Sequence, residues 1–154
     1  MGSDPAPVVA PVARGGLALR SDPVRIAQEH IDAIAAHARD DAPNECCGLV
    51  AARDGEVTGV HRVTNTFASP MRFELDPIEQ YKATERIEAG GAQMAGSYHS
   101  HTHSEAYPSQ TDVNQWNPWP ELVHLICSIA EDEPVVRAFK IADRQVSEIE
   151  LEVV

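Results

Sequence analysis

Apolar positions along this chain recur at two periods, and the switches between them lay out its elements. Ala27, Ile31, Ile34 and Ala38 return at helical spacing, with Glu29, Asp32 and Arg39 on other faces. Pro43 disfavours helical geometry in the residue before it, so this helix ends by about Ala42. Ahead of it, Val24-Arg25-Ile26 reads as a short strand or as the start of the helix. Residues 44–52 run into a buried strand, and Arg53-Asp54-Gly55-Glu56 supplies a hairpin turn. Residues 57–64 return with Val57, Gly59, His61 and Val63 on one face, and residues 71–75 read as a further short strand. Asp76-Pro77-Ile78-Glu79 then opens a second helix: Asp caps, Pro takes the first helical position, and Glu follows three residues after the cap. That helix stops at Gly90-Gly91. Residues 92–99 form the next strand, and a short helix from Ser109 ends before Pro118. Residues 121–129, 134–142 and 145–153 read as three more strands, with a tight turn at Ala142-Asp143-Arg144.

This pattern predicts an α+β fold in a single domain over residues 23–154. A mixed, mostly antiparallel sheet is flanked by two main helices, with a short third helix. Residues 1–22, with Pro5, Pro7 and Pro11 among alanines and valines, read as a flexible tail. No run approaches the ~18 apolar residues of a membrane helix, and no basic stretch with a cleavage site opens the chain. Three cysteines, two of them adjacent (Cys46, Cys47 and Cys127), make a poor disulfide framework and suit a reducing cytoplasm. All three read as buried small residues. Asp and Glu number 24 against 12 Lys and Arg, a formal charge of −12 that repels nucleic-acid phosphates.

Candidate chemistry concentrates in one stretch. His99 and His101 alternate along a strand, so both rings lie on one side. A seven-residue loop then turns the chain, and Ser109-Gln110-Thr111-Asp112 starts a helix that returns a carboxylate to the histidine pair. Two imidazoles and one carboxylate are the ligand set of a catalytic zinc site whose fourth position holds water. Alone, His-X-His on a strand is common, and Ser-x-x-Asp before a helix is equally a capping box. The combination is more specific, because Glu45 stands upstream at the mouth of a strand. His30 and His37 read as ordinary helix residues, His61 as a half-exposed strand residue, and Trp116 and Trp119 as core ahead of a partner-binding ledge. His103 continues the alternation, but the chain is already turning there toward Pro108.

The arrangement Glu45 … His99-Ser100-His101-x7-Ser109-x-x-Asp112 resembles the signature of the JAMM (MPN+) zinc metallopeptidases. The likeness covers residues 23–154. It is closer to the bacterial members that remove cysteine from a ubiquitin-like sulfur carrier protein, through Glu45-Cys46-Cys47-Gly48-Leu49 and Glu105-Ala106-Tyr107-Pro108-Ser109. The resemblance implies Zn²⁺ held by His99, His101 and Asp112, with Glu45 as general base and acid. It implies Ser109 as the oxyanion donor, a role that competes with capping for one hydroxyl. The implied substrate is the Gly-Gly tail of a sulfur carrier, in a narrow groove beside a sheet edge, with cysteine or a short extension released. Two other classes stand beside it. One is a non-catalytic scaffold of the same fold, which generally lacks these ligands. The other is a cupin-like oxygenase, whose distant histidine would have to be His124.

Overall fold

A computed structural model describes residues 22–154, so the tail expected over residues 1–22 lies outside the described residues except for Asp22. The elements run β1 (Val24–Ile26), α1 (Gln28–Asp41), β2 (Cys47–Arg53), β3 (Glu56–Val63), α2 (Pro77–Ala89), β4 (Gln93–His101), α3 (Gln110–Trp116), β5 (Val123–Ser128), β6 (Val135–Ala142), β7 (Gln145–Ile149) and β8 (Leu151–Val153). All eight strands join one mixed sheet in the order β7-β6-β5-β4-β2-β3-β1-β8. Neighbours are antiparallel in four pairs and parallel in three. No described helix is long and apolar enough to cross a membrane.

Residues 145–153 were expected as one strand, and the chain splits them at Glu150. β7 pairs with β6 at one edge of the sheet, while β8 pairs with β1 at the other. Ile149 and Leu151 are two Cα steps apart, about 7 Å. The sheet must therefore curl until its two edges meet at Glu150.

Each face of the curled sheet carries its own core. α1 packs Ile34, Ala35 and Ala38 against Cys46, Val50, Tyr98 and Leu125. On the other face, α2 and α3 bring Ala83, Ile87, Val113 and Trp116 to Cys47, Leu49 and Met94. β4 reaches both cores through a bulge. Gly96 pairs with Val50 and Met94 with Ala51, so Ala95 has no partner and the alternation resets. As a result Met94, His99 and His101 share the face that α2 and α3 cover.

Gly96 also sets how closely β4 and β5 approach. A methyl at this position would run into the Val123 carbonyl, which is backbone and cannot yield. Gly96→Ala is expected to cost about 3 kcal/mol and to lower the melting temperature by roughly 10 °C, as read by calorimetry. An unchanged melting temperature would mean that the two strands can part without cost.

The strand expected over residues 71–75 is reduced to a single bridge between Asn65 and Leu75. The Asn65 side chain takes the place of a ladder partner. Its Nδ2 donates to the Arg72 carbonyl at 3.1 Å, and its Oδ1 accepts the Glu74 N–H at 3.0 Å. Both sharp turns follow expectation: Asp54 and Gly55, like Asp143 and Arg144, have positive φ, as two-residue hairpin turns require. The three cysteines are buried free thiols, and burial pushes the Cys46 thiol up to about 12.

Candidate metal centre

β4 runs two residues beyond the expected range of 92–99, so both His99 and His101 sit on the strand itself. Both rings are buried, as is Asp112 in the first turn of α3. Asp112 Oδ2 lies 3.1 Å from His99 Nε2 and 3.2 Å from His101 Nε2, and the two imidazole nitrogens are 3.3 Å apart. A tetrahedral zinc with bonds of ~2.0–2.1 Å spaces its donors about 3.3–3.4 Å apart. The three atoms therefore fit such an ion with almost no rearrangement.

Their chemistry fits as well. His101 Nδ1 is 2.8 Å from the Glu105 carbonyl, which only accepts, so Nδ1 donates there and Nε2 is the nitrogen turned to the cluster. His99 is held by packing instead: Phe73 stacks on its ring at 4.3 Å, with Trp116 behind Phe73 at 6.1 Å. Burial acts to raise the Asp112 carboxyl. The two imidazoles and the Ser109 N–H outweigh burial and hold it well below the usual carboxylate range. Burial likewise acts to lower His101, and the Asp112 hydrogen bond and Glu105 carbonyl reverse the sign.

Ser109 and Asp112 form the capping box read from the sequence. The Ser109 Oγ accepts the Asp112 N–H at 3.1 Å, and Asp112 Oδ2 accepts the Ser109 N–H at 2.9 Å. The cap uses an oxygen lone pair and leaves the hydroxyl hydrogen free to donate. Capping and oxyanion donation thus do not compete for the same part of the group.

Glu45 lies two residues before β2, and β2 pairs with β4 through Cys47 and His99. Extending that register by two sets Glu45 across from His101. Three groups pin its backbone. Its N–H donates to the Ser69 carbonyl at 2.9 Å, and its carbonyl accepts from Asn65 Nδ2 at 3.0 Å. The next N–H, of Cys46, donates to Ser100 Oγ at 2.8 Å. The Glu45 side chain is 5% exposed, and Oε1 has no hydrogen-bond partner. Burial pushes its carboxyl up to about 8, with His101 pulling it down and Asp112 pushing it further up.

His103 is exposed, its Nδ1 3.0 Å from the Thr102 hydroxyl, and stands outside the donor cluster. The distant histidine of the oxygenase alternative also fails to arrive. His124 packs its ring on Trp116 at 4.1 Å, and burial lowers its pKa to about 3. Asn65, Phe73 and Ser100 were not singled out from the sequence, although all three fix the geometry. Only Ser100 carried a signal there, as a small polar residue between two candidate ligands.

Fold and site together bring two histidines and one aspartate, a donor set that could hold a metal ion, between a strand and the helix after it. The family described as prokaryotic homologues of the JAB domain matches residues 27–142. A desampylase of Haloferax volcanii is 39% identical over 117 residues, covering 71% of this chain and 84% of its own. The CysO-cysteine peptidase of Mycobacterium tuberculosis is 35% identical over 127 residues, 80% of this chain and 86% of that one. A protein of Desulfitobacterium hafniense solved in solution superposes with a TM-score of 0.78 at 36% identity, covering 84% of this chain and 92% of its own. The chain belongs to the prokaryotic JAB-domain proteins of the JAMM/MPN family.

Proposed function

We propose that the chain is a zinc-dependent peptidase. It hydrolyses the bond after the C-terminal Gly-Gly of a ubiquitin-like sulfur carrier protein and frees cysteine or a short C-terminal extension. The observation that carries this reading is the convergence of His99, His101 and Asp112 on one point, across the strand pair from a buried, unpartnered Glu45. Relatives named as a CysO-cysteine peptidase and a desampylase support the substrate class. The reducing, cytoplasmic setting read from the cysteines suits such a carrier.

His99, His101 and Asp112 are the metal ligands in this reading. Bound there, zinc would polarise the scissile carbonyl and bring the pKa of a water down to about 7. Glu45 accepts the proton that the attacking water loses and delivers it to the amine as the carbon–nitrogen bond breaks. Ser109 donates its free hydroxyl hydrogen to the oxygen that gains negative charge. The pinned backbone of Glu45 keeps its carboxyl in reach of both proton-transfer positions.

Two measurements test the proposal. Elemental analysis should find one zinc per chain, lost in His99→Ala, His101→Ala and Asp112→Ala. Mass spectrometry of a carrier extended beyond its Gly-Gly should show the extension removed by the parent chain and retained with the three variants. A metal-free parent would remove the mechanism, and a zinc-loaded parent that leaves every extended carrier intact would remove the substrate.

A further inference from the structure

This inference rests on the reading of Glu45 as proton donor to the leaving amine. A donor must touch the group it protonates, so the leaving side of the substrate lies against Glu45. A cleft of about 560 Å³ opens there. Of the five site residues, Glu45 alone lines it. The rest of the wall comes from the end of α1 with Asp40 and Asp41, the end of β3 with Arg62, and the first turn of α2 with Glu79. Glu45 lines this cleft with a side chain whose buried Oε1 has no hydrogen-bond partner.

Size and charge describe the occupant. Clefts of this volume take ligands much larger than one amino acid, so a short polypeptide segment suits it better than free cysteine. Glu45 aside, three carboxylates face one guanidinium. Arg62 is 3.1 Å from Asp40, which leaves Asp41 and Glu79 uncompensated by any cation of the cleft. Asp41 is 3.3 Å from His37 Nε2, an imidazole whose pKa burial lowers against the opposing pull of Asp41. Glu79 accepts the Thr64 N–H and hydroxyl. We propose that this cleft is the leaving-side subsite and seats a polypeptide segment bearing lysine or arginine just beyond the scissile bond.

The test uses the full zinc-loaded chain and two carrier substrates, with Gly-Gly followed by Ala-Lys-Lys-Ala or by Ala-Glu-Glu-Ala. At low salt the parent should favour the lysine tail in kcat/KM by about fivefold or more, and the preference should shrink in high salt. Asp40→Lys should bring the ratio close to one. Asp40 is exposed with Arg62 as its ion-pair partner, and lysine suits a helix C-terminus, so the fold should tolerate the change. Asp40→Asn, without a new charge, should give an intermediate ratio. Glu88→Lys makes the same change in net charge at the far end of α2, roughly 14 Å along the helix from Glu79, and should keep the preference. Equal cleavage of both tails by the parent overturns the inference alone. So does a Glu88→Lys effect as large as that of Asp40→Lys, which would assign the preference to the overall charge of −12. A zinc-loaded parent that cleaves neither tail overturns the peptidase reading and this inference together.

Discussion

Glu45→Gln should fold and hold its zinc like the parent yet turn over about 10²–10⁴-fold more slowly, the usual contribution of a general acid–base group. Glutamine nearly matches glutamate in shape, and the contacts that pin position 45 are to its backbone, so none is lost. The amide can neither take the water's proton nor give one to the amine. Stability should not fall, because the substitution removes a carboxylate from a site where burial already disfavours its charge. Single-turnover cleavage, elemental analysis and a melting curve on one preparation separate these effects. Normal turnover would mean that another group moves the proton, and loss of zinc would make Glu45 part of the metal centre.

Ser109 gives the second large effect, because cap and catalyst make different forecasts for it. As a cap alone, Ser109→Ala costs about 1 kcal/mol of stability and leaves the chemistry nearly untouched. As an oxyanion donor, its loss costs about 10²–10³-fold in kcat. The hydroxyl hydrogen left free by the capping box favours the second outcome. Ser109→Asn sharpens the contrast, since asparagine caps a helix about as well as serine but carries its donor on a longer arm. That variant should melt with the parent, bind zinc and cleave slowly. Full activity in Ser109→Asn would leave this residue as a cap and nothing more.

The convergence of His99, His101 and Asp112 was legible because they lie in one short run with two strong local rules. Alternation along a strand put His99 and His101 on one side, and capping chemistry started a helix at Ser109 that returned Asp112. Glu45 was legible only by its place before a strand and through the family likeness. The residues that hold these groups still were not. Phe73 reaches His99 and Asn65 reaches Glu45 from an irregular loop, and no period marks a loop residue that packs across a gap in sequence. The same loop explains the missing strand at residues 71–75, where one asparagine side chain stands in for a neighbouring backbone. The break at Glu150 was hidden for a related reason. Residues on either side keep a strand-like pattern, and only the pairing partners differ.

The meeting of the sheet's edges also orders events during synthesis. β1 leaves the ribosome ahead of the other described strands, yet it has one registered partner on β3 and three on β8, at the opposite end of the domain. Chains made N-terminus first cannot complete such a pairing until β8 has emerged, and contacts of long sequence separation form slowly. The cluster from His99 to Asp112 faces no such delay, because one strand, one loop and one short helix bring it together. A nascent chain can thus gather His99, His101 and Asp112 while the sheet around them is still open.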